Sequence, residues 1–96
     1  MVKTEPFDAA RYLTSPKAQA ELLNDALSSG DAGYVSHALG VIARARGMTE
    51  VAKQAGVTRE ALYKALSENG DPRLTTLLGV VRALGVTLTA HIEAAE

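Results

Sequence analysis

Apolar side chains recur every three or four residues along most of this chain and alternate residue by residue only near its end. Asp8 can cap a short helix with Phe7, Ala10 and Leu13 on one side. Ser15 followed by Pro16 is a sharper start: a hydroxyl cap, then a proline at the first helical position, where its missing N–H costs nothing. Leu22, Leu23, Ala26 and Leu27 give that helix its buried stripe, and Ser28, Ser29 and Gly30 end it. Asp31 can cap a third helix, in which Val35, Ala38, Leu39 and Ile42 keep helical spacing until Gly47. Leu74, Leu77, Leu78, Val81 and Leu84 mark a last helix ended by Gly85. Val86, Leu88, Ala90 and Ile92 then alternate with Thr87, Thr89 and His91, the period of a strand. A lone strand leaves its backbone groups unpaired. It either pairs with the same strand of a second copy or lies as an extended tail on the core. The expected fold is mainly α, a five- or six-helix bundle with a short C-terminal strand.

Residues 49–66, TEVAKQAGVTREALYKAL, carry the most specific pattern. Thr49 opens one short helix with Val51, Ala52 and Ala55 on a single face. Gly56 supplies the left-handed turn that a tight helix end needs. Thr58 can cap a second helix, with Leu62 and Leu66 one turn apart and facing inward. The small Ala52, four residues before Gly56, permits close crossing, and Leu62 locks the second helix onto the first. This is the spacing of a DNA-reading helix-turn-helix. The cluster SENGDP follows as a turn that holds the second helix away from the next element.

Charge sharpens that reading. The chain has 96 residues and a net charge of −1, which by itself argues against a nucleic-acid partner. Its distribution argues the other way. Residues 1–33 carry a charge of −2, residues 34–64 carry +3 and residues 65–96 carry −2, so the basic excess coincides with the helix-turn-helix. Length and an apolar share of 47% suit one domain, with an N-terminal helical extension (1–30) on a helix-turn-helix core (31–96). The absence of cysteine removes disulfides and thiolate metal sites and fits a reducing cytoplasm. No apolar run approaches the roughly 20 residues of a membrane span, and MVKTEPFDAARY lacks a signal core, so a soluble cytoplasmic protein is expected.

The segments FDAARYL, ALGVIARARGM, TEVAKQAGVTREALYKAL and NGDPRLTTLLGVVRALGVTL together resemble the HigA-like antidotes of addiction modules. These are type II antitoxins within the wider Xre/Cro-type repressor superfamily, and the resemblance covers nearly the whole chain. It implies a lambda-repressor-like DNA-binding bundle. It also implies an antitoxin that neutralises a RelE/ParE-like toxin encoded beside it. Such an antidote represses its own operon as a homodimer on double-stranded DNA, often with the toxin as co-repressor. A free-standing Xre-family repressor without a toxin is the alternative, and an adaptor whose helix-turn-helix serves only protein contacts is a third. No cofactor is expected.

The candidate DNA-binding residues are Thr49, Lys53, Thr58, Arg59, Glu60, Tyr63, Lys64 and Arg73. Arg59, near the start of the second helix, can donate two hydrogen bonds to guanine O6 and N7. Tyr63 can touch a phosphate or a thymine methyl, and Lys64 suits a phosphate. Glu60 can accept from cytosine N4 or simply pair with Lys64 one turn on. Thr49 stands where a helix start can hold a phosphate or act as a plain cap. Lys53, Arg44 and Arg46 can meet phosphates or remain solvated, and Arg73 follows the turn at a position that resembles a phosphate contact.

No enzyme is visible. His37 and His91 are far apart and lack metal-ligand spacing. Ser36 and His37 diverge by about 100° on a helix and make no catalytic pair. Gly30 and Gly33 bracket a helix start and form no phosphate loop. The N-terminal third carries Glu5, Asp8, Glu21, Asp25 and Asp31, which would complement a basic toxin. Its Phe7, Leu13, Leu22, Leu23 and Leu27 can equally complete the core.

Overall fold

The computed structural model describes residues 15–93, which form five helices: α1 Pro16–Ser29, α2 Ala32–Arg46, α3 Met48–Ala55, α4 Arg59–Ala65 and α5 Leu74–Ala83. The helix expected around Asp8 lies outside the described residues. Local chemistry sets most of the boundaries. The Ser15 hydroxyl accepts from the Ala18 amide at 3.1 Å, with Pro16 at the first helical position of α1. The Asp31 carboxylate accepts from Gly33 at 2.9 Å and Tyr34 at 3.4 Å, and the Thr58 hydroxyl accepts from Ala61 at 3.0 Å. Each cap satisfies an amide that the first helical turn leaves without a partner.

Two of the helix ends are built alike. After α3, Gly56 has φ 77°, its amide donates to Lys53 at 3.3 Å and the Val57 amide donates to Ala52 at 3.0 Å. After α5, the Gly85 amide donates to Arg82 at 3.0 Å and the Val86 amide to Val81 at 3.0 Å. Both are Schellman closures, in which the residue after the glycine turns back onto the helix and packs there. Val57 and Val86 duly rest against the core.

That second closure overturns the expected C-terminal strand: among the described residues there is none, and 84–93 carry no regular structure after the turn. The Val86 amide is already committed to the end of α5, so it cannot open a ladder, and 87–93 are exposed. Alternation alone was insufficient evidence, because period two stabilises a strand only when a neighbour supplies hydrogen bonds.

The start of α3 differs too. Met48 is its first residue, buried, with Gly47 as the cap and no side-chain cap bond, so Thr49 lies exposed within the first turn. The Gly47 amide closes α2 on Ala43 at 2.8 Å while its carbonyl accepts from Val51 at 3.1 Å.

The core gathers Leu23 of α1, Leu39, Ile42 and Ala43 of α2, Met48, Val51 and Ala52 of α3, Leu62 and Leu66 at α4, and Val80, Val81 and Leu84 at α5. Burial of each large aliphatic side chain contributes about 1.5–3 kcal/mol relative to exposure. Of the stripe expected on α1, Leu23 and Ala26 are buried, whereas Leu27 is 43% exposed. Helix α1 packs on α2, and α3 lies between α4 and α5. Gly79 of α5 makes the last contact close: a Cβ there would stand 3.2 Å from the Ala55 carbonyl oxygen.

Candidate nucleic-acid interface

The seven residues of α4 divide into two faces. Leu62 is fully buried, and Leu66, which caps the helix, is 3% exposed. These two fix the inner face. Arg59, Glu60, Tyr63 and Lys64 are exposed, as is the capping Thr58. Thr58 accepts the Ala61 amide through its oxygen, leaving its own hydroxyl proton free to donate outward.

Arg59 and Tyr63, one turn apart, are in contact. The guanidinium carbon of Arg59 stands 5.5 Å from the centre of the Tyr63 ring, and its Nη2 donates to the phenolic oxygen at 3.4 Å. The ring face attracts the cation through its quadrupole. The hydrogen bond from Arg59 to Tyr63 raises the arginine pKa further, with the charge interactions of Tyr63 and Glu60 adding to it. The guanidinium is therefore charged at every physiological pH. Glu60 acts on Arg59 in this way and forms no ion pair with Lys64.

The remaining candidates lie on the neighbouring elements. Thr49 and Lys53 are exposed on α3, and Arg73 is exposed at the cap position of α5. Arg44 is exposed on α2, where it shares with Tyr63 the wall of a hollow of about 290 Å³ between α2 and α4. Arg46 is otherwise engaged: its Nε donates at 3.0 Å to the side-chain oxygen of Gln19, which is 3% exposed. It ties the end of α2 to α1, a structural task that accounts for its presence without any phosphate.

Sequence reading missed what holds α4 from behind. Gly33, Ser36 and Gly40 lie along one face of α2, under the end of α4 and the turn after it. A Cβ at Gly33 would come to 2.9 Å of the Glu68 carbonyl oxygen, and one at Gly40 would collide with the Leu66 carbonyl oxygen. Ser36, 4% exposed, directs its hydroxyl to the Gly70 carbonyl at 3.4 Å, a long bond. Small residues at helical spacing were the available signal, since they let backbones approach. Among the described residues no three acidic or histidine side chains gather as metal ligands, and no helix is long and apolar enough to cross a membrane.

Fold and face together define a small helical protein that presents one short, cation-bearing helix outward from a core that fixes its other side. The chain belongs to the addiction module antidote family: the family model described as a probable addiction module antidote protein matches residues 3–92. A protein of Haemophilus influenzae described only as uncharacterized is 44% identical over 80 residues, covering 83% of this chain and 82% of its own length. No solved structure matches the chain.

Proposed function

We propose that this chain is the antitoxin of a type II toxin–antitoxin module, HigA-like and of the Xre/Cro type, which neutralises a RelE/ParE-like toxin and represses its own operon. Helices α3 and α4 then act as a helix-turn-helix with α4 in the major groove. The observation that carries this reading is the division of α4 into a buried Leu62 side and an exposed side bearing Arg59, Tyr63 and Lys64. Arg59 reads guanine. Lys64, Lys53 and Arg73 meet phosphates, with the hydroxyls of Thr49 and Thr58 as further donors, and Glu60 faces a cytosine amino group. An inverted repeat is read by two copies whose α4 helices stand about 34 Å apart.

Antidote membership favours a toxin partner over a free-standing repressor. The acidic N-terminal third, residues 1–33, is the toxin-facing part of a single cytoplasmic domain, and its −2 charge suits a basic partner. Two measurements test the two halves. Binding to the chain's own promoter falls steeply between low and physiological salt if several phosphates are contacted. Deleting residues 1–14 leaves that binding within a few-fold but impairs rescue of cells expressing the neighbouring toxin. Salt-indifferent binding would remove the groove-docking half, and unimpaired rescue would move the toxin contact to the later helices.

A further inference from the structure

We propose that Tyr63 is a positioning residue for Arg59, holding the guanidinium in the orientation from which it reads a base. Base preference then belongs to the pair and not to the arginine alone. This rests on α4 being the DNA-reading helix.

An exposed arginine on a helix ordinarily samples many rotamers, and most of them point away from any one base edge. Here the spacing of four residues brings the guanidinium over the Tyr63 ring at 5.5 Å, inside the roughly 6 Å range of a cation–π contact. The 3.4 Å hydrogen bond to the phenolic oxygen is long, and it adds a directional contact to the attraction of the ring. A guanidinium carries five N–H donors in one plane. One is used by the tyrosine oxygen, and those that remain suffice for the two acceptors of guanine.

The platform stands on a fixed helix. Tyr63 is 42% exposed, so more than half of its surface is covered, and it borders the hollow walled by His37, Gly40, Arg44 and Leu66. The helix beneath it is anchored by Leu62, which is fully buried. Ordering of Arg59 is thus settled before DNA arrives, which is the economy that pre-organised contacts provide. The phenolic oxygen accepts from Arg59, which couples the tyrosine to the arginine while its own O–H stays free to donate.

The test uses the full chain and duplexes of its own promoter, with 7-deazaguanine or adenine at each contacted guanine, read by fluorescence anisotropy at fixed salt. Discrimination against the altered base falls about two-fold in Y63F and about five-fold in Y63L, the scale of an exposed cation–π contact. R59A/Y63L discriminates no less than R59A. In the free protein, the Arg59 side-chain protons are displaced upfield by the ring; Y63F keeps this displacement and Y63L abolishes it, while circular dichroism reports the fold. Undiminished discrimination in Y63L overturns the positioning role alone, as do losses from R59A and Y63L that multiply in the double variant. A wild-type chain without any base discrimination overturns the DNA-reading proposal and this inference with it.

Discussion

Gly40 has the carbonyl oxygen of Leu66 where a side chain would begin, so α2 and the end of α4 meet backbone to backbone. Ser36, one helical turn earlier, reaches the Gly70 carbonyl, and Gly33 lies under Glu68. The outward helix is therefore seated by main-chain contacts that a single methyl group would disturb.

Gly40→Ala sets two effects against each other. Alanine is favoured within a helix by about 1 kcal/mol. The collision with Leu66 forces the helices apart, and overpacking of this kind costs about 1–3 kcal/mol. Net destabilisation is expected, together with weaker promoter binding, because the whole of α4 must shift. Urea melts of the two proteins decide the matter; an equal or higher midpoint for the alanine variant would mean that α2 and α4 separate freely.

Two threonines separate capping from mere exposure. Thr58→Ala removes the acceptor for the Ala61 amide and should cost about 1 kcal/mol. Thr49→Ala touches no cap and should stay within about 0.5 kcal/mol of the parent. A reversed order in thermal denaturation would place the cap of α3 at Thr49 after all.

Arg59→Ala should cost about 1–3 kcal/mol in promoter affinity and relax preference at one base position. Lys64→Ala should weaken every sequence alike and flatten the salt slope by about one unit. Titrations of both variants against the promoter and its point-substituted forms separate the two roles. Sequence-blind losses from both would reduce Arg59 to a phosphate contact.

Tyr34 donates to the Asp25 carboxylate at 2.6 Å, joining α2 to α1 on the surface. That hydrogen bond, then a small desolvation and the carboxylate's charge, raise the phenol pKa above its ordinary value. A raised pKa means that the protonated phenol is favoured in the folded chain. Its contribution to stability is fully present below the unfolded value of about 10 and is lost as pH rises through the folded value. Asp25→Asn should lower the Tyr34 midpoint, read from its ring carbon shifts across an alkaline titration. An unmoved midpoint would show that the bond does not persist in solution.

What the sequence disclosed follows the range of the physics involved. The caps at Ser15, Asp31 and Thr58 and the turn at Gly56 depend on neighbours within four residues, and their chemistry is written in the local sequence. Outward placement of Arg59, Tyr63 and Lys64 followed from the inward period of Leu62 and Leu66. The errors and omissions lie where a distant partner decides. Val86 to Ile92 alternates like a strand but pairs with no strand among the described residues, and Val86 is spent closing α5. Arg46 reads as a free cation until Gln19, far away in sequence, is placed beside it. Gly40 acquires its meaning only from Leu66, and the Arg59–Tyr63 contact needed the two residues to be considered as one unit.

Gly47 closes one helix and opens the next with no residue between them. For anyone altering the length of this chain, it is a joint without slack. A single residue added there would break the joint at which the Gly47 amide closes α2 and its carbonyl opens α3, and would shift α3 against α2. Val51 and Ala52, buried in the next turns, and α4 beyond them depend on that placement. Asp71, exposed in the passage between α4 and α5, offers room that Gly47 does not. Grafting a foreign reading helix into this scaffold therefore means preserving the spacing from Gly47 to Leu66 and confining any change of length to the far side of Gly70.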